Sequence, residues 1–458
     1  MLKFFRKYKI EIVIFILALL ARSILFSINL HANDYNILNT IHGDDGYYEI
    51  SQGILSGYGF TGELKYPNSP NPLRPPLWPY MIAFIVWIFG NYWAVAIFEI
   101  IIGSLIPVLG FIIAKRLFGN NKIALGTGIM MALEPYSVLL SSLLYSETIF
   151  TFLFLIFVYF LIKYFENRTD RNLIWMVVFM SLATIAKVTI QYIPIVLVIV
   201  IAFVSYKESK KINWKAVIIV FGIFYLFIFP WLYRNYAEFG KIGMSAQPAF
   251  NLYVYLVPTV LSIDNQTSFA DEHMKFVRKG NFDENNINLA NGEYYTKIAV
   301  AILLDHKFAL IKSGLTTLVT FFTHDGLVTI LQNAHIILQG SGKPALSMLL
   351  DNPLNFIKYV ILNSGGFGLL IIVTRVVWII VTGFFFFGVY RYLKWNRLSP
   401  SIFMVLFLVA YFALTTAING LGVNARFKVP ILVFIFSFAL YGLFFKKRDN
   451  IQTTELKQ

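Results

Sequence analysis

Long apolar runs separated by short basic clusters set the rhythm of this chain. The first run, 10–30, follows Lys3, Arg6, Lys7 and Lys9. It resembles a signal peptide but is longer than a signal h-region and lacks a small-x-small cleavage site, which predicts a retained first span with a cytoplasmic N-terminus. Further runs of membrane scale lie at 93–113, 123–142, 148–162, 173–186, 190–206, 217–232, 369–390, 402–417 and 429–445. Basic clusters follow alternate runs, at Lys115-Arg116, Lys163 and Arg168, Lys207 to Lys215, Arg391 to Arg397, and Lys446-Lys447-Arg448. All of these fall on the cytoplasmic side if the region 233–368 crosses an even number of times, and the C-terminus is then cytoplasmic too. The pattern predicts an all-α polytopic membrane protein of about 10 spans. The stretch 308–322 reads as an amphipathic helix resting on the membrane; if it crosses together with part of 356–367, the number becomes 12.

Two polar regions interrupt this pattern. The first, 31–92, contains an apolar piece at 79–89 that is about half the ~20 residues needed to cross hydrocarbon, so it is expected along the interface. The second spans 233–368. Three parts result: 1–232 as an N-terminal membrane module with the outer loop 31–92, 233–368 as an extracytoplasmic region of interfacial or membrane-dipping helices, and 369–458 as C-terminal spans and a cytoplasmic tail.

Composition agrees with a membrane chain: 458 residues, 58% hydrophobic, 17% aromatic and 14% charged, with a mean hydropathy of +0.68. The net charge of +14 sits in clusters beside apolar runs rather than on one basic face, which argues against nucleic acid. With no cysteine, disulfides, thiolate catalysis and cysteine-ligated metal are excluded. Abundant Ile, Lys, Asn and Phe suggest a prokaryotic plasma membrane.

Candidate chemistry gathers at the outer ends of the spans. Gly43-Asp44-Asp45-Gly46-Tyr47-Tyr48 and Leu73-Arg74-Pro75-Pro76 share the first outer loop, Ser146-Glu147 opens a later span, Lys187 follows another, Pro230-Trp231 precedes Arg234, and Arg426 stands before the last. Asp44 is expected to cap a short helix over 45–55, with Tyr48 one turn on sharing its face. It then acts either as a cap alone or as a general base close to a dehydrating surface. Prolines 75 and 76 hold Arg74 extended on stiff backbone, suited to a phosphate. Glu147 is favoured by the helix N-terminus whether or not it is catalytic.

Together, in their order along residues 44 to 430, these motifs resemble the GT-C superfamily of membrane glycosyltransferases, in particular the protein O-mannosyltransferase and lipid A aminoarabinose transferase branch. The region 237–368 carries the least of the resemblance. The likeness implies a GT-C-like bundle with an extracytoplasmic site that moves a sugar, with inversion, from a polyprenyl-phosphate donor to a protein, lipid or glycan acceptor. It implies Asp44 and Glu147 as catalytic carboxylates and Asp45, Tyr48, Arg74, Arg234 and Arg426 as substrate-binding residues. Where aminoarabinose transferases carry an acid before Lys-Pro-Pro this chain has Leu73, which argues against a metal ligand there. The histidines show no ligand spacing, although Asp44, Asp45 and Glu147 offer oxygen ligands to a divalent cation. The competing class is a polytopic transporter or lipid-linked sugar flippase, which would favour internal repeats and midplane charges; neither is seen. A noncatalytic scaffold would have no need of the loop charges.

Overall fold

The computed structural model describes residues 8–62, 69–278, 287–337, 366–422 and 425–444, with scattered positions between 352 and 362. Apart from one isolated bridge between Thr61 and Pro70, these residues form helices and loops, an all-α polytopic membrane fold. Eight described helices are long and apolar enough to cross a membrane: Lys9–Ala32, Trp93–Phe118, Glu147–Asn167, Val188–Ser209, Trp214–Phe239, Gly368–Trp395, Pro400–Gly420 and Ala425–Phe444. Two of the ten expected runs are shorter. Asp170–Ala186 has 17 residues, at the lower limit for a crossing helix. The run 123–142 is divided into Asn121–Leu133 and Pro135–Leu140, because Pro135 forces Glu134 into an extended conformation (φ −65°, ψ 115°). The Glu134 carboxylate then caps the second piece by accepting the Ser137 N–H at 2.6 Å.

Burial sorts the helices. Lys9–Ala32, Trp214–Phe239 and Gly368–Trp395 are peripheral, and Ile218, Leu226 and Phe229 make an outward apolar stripe on the second of these, as lipid contact requires. Ala425–Phe444 is at the centre, with 83% of its apolar stretch buried. Trp214–Phe239 continues through Pro230 well past the expected end at 232.

The helix Lys307–Thr323 has two distinct faces, as an amphipathic helix must. Here Phe308, Ile311, Leu315 and Val319 face outward while Ala309, Ser313 and Thr317 are buried, an inside-out pattern in which small residues pack on the bundle and the apolar stripe meets lipid. It breaks by 70° into Leu327–Asn333, a bent pair of the kind that a broken span or a re-entrant loop makes. Most of 356–367 lies outside the described residues, as does the tail 445–458.

The two ends of the bundle differ electrostatically. At one, Arg116 pairs with Glu166, Arg168 with Glu208 and Lys215 with Asp170, so three of the clusters read as cytoplasmic markers share one end. The other end holds the first loop. Leu77–Phe89 is there, a 13-residue helix with Phe84, Trp87 and Phe89 exposed, as expected of an interfacial segment.

Candidate active site

The loop ahead of Tyr47–Leu55 positions two adjacent carboxylates differently. Asp44 is not the helix cap: the helix begins at Tyr47, and its N-cap is Gly46, whose φ of 75° belongs to the left-handed region open to glycine. The chain therefore turns sharply between Asp45 and Tyr47, and the two acids diverge. Asp44 is exposed, and among the described residues its carboxylate has no ion-pair partner. Its backbone N–H donates to the Tyr145 hydroxyl at 3.4 Å. Gly43 allows this approach, since a Cβ there would lie 2.6 Å from the Tyr145 ring.

Asp45 turns inward to two guanidinium groups. Arg74 Nη2 donates to Oδ1 at 3.0 Å and Arg426 Nη1 to Oδ2 at 3.2 Å, while Arg74 Nε donates to the Asp45 carbonyl at 2.7 Å. Burial pushes the Asp45 carboxyl up, but Arg426, Arg74 and Lys187 outweigh it and hold the group below its ordinary value. Glu147, 1% exposed at the first turn of its span, accepts from Lys187 Nζ at 2.6 Å and lies 3.9 Å from Arg426 Nε. Three cations thus gather on two acids, an excess of one positive charge. Arg74 spends three of its five N–H donors on Asp45 and Gln247 and retains two. Burial, then Asp45 and Asp44, push the Tyr145 phenol up to about 12, so it stays protonated beside the cluster.

The backbone that aims Arg74 is itself fixed. Asn71 Oδ1 accepts the N–H groups of Leu73 and Arg74 at 3.0 Å each. Arg234 stands apart from the charge cluster: its guanidinium donates to the carbonyls of Asn71 and Phe60 at 3.2 and 3.3 Å and lies 4.8 Å over the Trp231 ring. Tyr48 is also apart, packed against His42 and Tyr92, and His42 bonds Glu49 at 2.9 Å across the base of the loop. Arg426 belongs to a 3₁₀ segment, Ala425–Ile431, that also carries buried Lys428. Lys428 Nζ donates to the His324 carbonyl at 2.5 Å, at the break of the bent helix pair.

Of the residues expected at the site, Asp45, Arg74, Glu147 and Arg426 meet, and Asp44 borders them. Lys187 is the addition. Its signal in the sequence was that of a basic residue directly after a span, among the other charges at the outer ends. No three His, Asp or Glu residues converge as a metal site among the described residues.

Residues 73–233, 161 of the 458, match the family described as dolichyl-phosphate-mannose-protein mannosyltransferase. The matched stretch holds Arg74, Glu147 and Lys187, while Asp44, Asp45 and Arg426 lie to either side of it. No curated protein matches the chain. The family match, over about a third of the chain, and the apolar helices together support a GT-C glycosyltransferase-like membrane protein.

Proposed function

We propose that the protein transfers a sugar from a polyprenyl-phosphate donor to a hydroxyl-bearing acceptor, with inversion, at the extracytoplasmic face of a prokaryotic plasma membrane. The observation that carries this reading is the division of labour between adjacent acids: Asp45 is saturated by Arg74 and Arg426, while Asp44, exposed beside it, keeps a carboxylate with no ion-pair partner among the described residues. A carboxylate held by two guanidinium groups is a poor base; an unpaired one can accept a proton.

In the reaction Asp44 takes the acceptor's hydroxyl proton as that oxygen forms a bond to the anomeric carbon. The bond from that carbon to the phosphate oxygen breaks, and the electron pair leaves with polyprenyl phosphate. The two uncommitted donors of Arg74, with Arg426 and Lys187 beside them, meet the charge that develops on the phosphate. Glu147, buried against Lys187 and Arg426, holds those cations rather than the proton. Arg234 acts at one remove, through the carbonyl of Asn71 in the loop that carries Arg74. Basic clusters at the opposite end of the bundle support cytoplasmic termini and an outward-facing site.

The test is transfer of radiolabelled sugar from polyprenyl-phosphate donors to endogenous acceptors in membranes carrying wild-type protein or Asp44→Asn at matched abundance. Loss of ~100-fold or more in the variant supports Asp44 as the base. Equal transfer by both, or none by either, removes that role and favours a transporter.

A further inference from the structure

Arg74 has a neighbour on the side away from Asp45. Its Nη1 donates to Gln247 Oε1 at 3.3 Å, Gln247 Nε2 donates to Asn251 Oδ1 at 2.6 Å, Asn251 Nδ2 donates to Asn419 Oδ1 at 2.8 Å, and Asn419 Nδ2 donates to the Thr416 carbonyl at 3.2 Å. A side-chain amide has a donor end and an acceptor end, and either can face a neighbour. Here both termini of the row are fixed. A guanidinium only donates and a carbonyl only accepts, so all three amides must point the same way. The row joins three distant parts of the chain: the first loop, the region after 233 and the turn before Arg426.

The surrounding backbone supports the row. Ala246 N–H donates to the Pro72 carbonyl at 2.9 Å and the Ser245 hydroxyl to the Leu73 carbonyl at 2.5 Å, docking this region directly on the loop that presents Arg74. Asn251 opens a π-helical turn, Asn251–Leu256, a rare geometry that recurs at functional sites. Thr317 donates to the carbonyl of Gly420, next to Asn419, at 3.3 Å.

We propose that Gln247, Asn251 and Asn419 are positioning residues: a polarised amide relay that fixes the Arg74 guanidinium so that its two uncommitted N–H groups face the phosphate of a lipid-linked ligand. The inference rests on Arg74 as a phosphate-binding residue, which the region after 233 then tunes without touching the ligand. Reversal of Gln247 would set an NH2 group against a guanidinium, leave Arg74 short of an acceptor and release its side chain from one of two anchors.

The experiment measures binding of undecaprenyl phosphate to the purified full-length protein in detergent, with undecaprenol as the uncharged control, for wild type, Arg74→Ala, Asn251→Leu, Asn251→Asp and Asn419→Leu. Arg74→Ala is expected to weaken binding of the phosphate, and not of the alcohol, by ~30-fold or more. Asn251→Leu, two side chains away from the guanidinium, should weaken it by ~10-fold. Asn251→Asp still accepts from Gln247 and should restore binding to within ~3-fold of wild type. Unchanged binding in Arg74→Ala overturns the phosphate reading itself. A loss in Arg74→Ala with wild-type binding in Asn251→Leu, or equal losses in Asn251→Leu and Asn251→Asp, overturns the relay. If Asn251→Leu fails to fold, Asn419→Leu breaks the row at its far end, and the same ~10-fold loss or its absence decides.

Discussion

Exchanging each of two adjacent aspartates for asparagine should produce opposite phenotypes. Asp45 lies 3.0 Å from Arg74 and 3.2 Å from Arg426, with its side chain 13% exposed. At an effective dielectric of ~20 each contact carries about 5 kcal/mol of gross attraction, most of it offset by desolvation of the three charges. Removal of one partner leaves the others buried and uncompensated, which costs about 3–5 kcal/mol in comparable settings. The partial exposure of both arginines, 20% and 25%, favours the lower end, about 3 kcal/mol. Asp44→Asn disturbs no ion pair at an exposed site and should change stability by no more than about 0.5 kcal/mol. The assay is thermal unfolding of the purified variants in one detergent, alongside sugar transfer by membranes at matched abundance. The expected pattern is a lower unfolding temperature for Asp45→Asn only, and a stable but inactive Asp44→Asn. Equal stability of Asp45→Asn and wild type, or a large loss in Asp44→Asn, refutes the division between the two acids.

Three further outcomes follow from the same geometry. Gly43→Ala should displace the loop from the Tyr145 ring, since the new Cβ would sit at 2.6 Å, and lower transfer by ~10-fold or more, whereas Gly222→Ala, with open space around it, should leave transfer unchanged. Arg234→Ala removes charge-assisted bonds to two loop carbonyls and should cost about 2–3 kcal/mol, read as a fall in unfolding temperature with a rise in KM for the lipid-linked donor. Asp45 is held below its ordinary value in the folded protein, so its contribution is fully present above pH ~4 and is lost as the pH falls through the lowered folded value. An unfolding series from pH 7 to pH 3 should show that acid loss in wild type and a smaller one in Asp45→Asn.

Much of the site was legible because charges are rare in this chain and costly beside hydrocarbon, so Asp45, Arg74, Glu147 and Arg426 stood out one by one. Their pairing was not legible. Nothing in the spacing of Asp45 and Arg426, 381 residues apart, says that they touch. Lys187 was visible as the end of a span, and its partnership with Glu147 depends on how two helices pack. Asn251 and Asn419 are uncharged and gave no signal; only a row closed at both ends distinguishes them from other part-buried amides. The helix at 308–322 was legible as amphipathic, but hydrophobic period gives the width of an apolar stripe and not whether the segment lies along the membrane or enters it. The break at Glu134-Pro135 was missed in the run 123–142, although a residue before proline marks it.

The central position of Ala425–Phe444 has a consequence for the life history of the molecule. The segment that fills the middle of the bundle is made after every other described helix, and it brings Arg426, the second of the two guanidinium partners of Asp45. Until it inserts, the first loop holds Asp45 with one arginine, and the helices already in the membrane surround a gap. The charge cluster therefore closes only after Arg426 has been made, whatever the order in which the earlier helices pack. A nascent chain halted before residue 425 carries the whole of the matched family segment and both loop aspartates, yet cannot complete the anion-binding side of its own site.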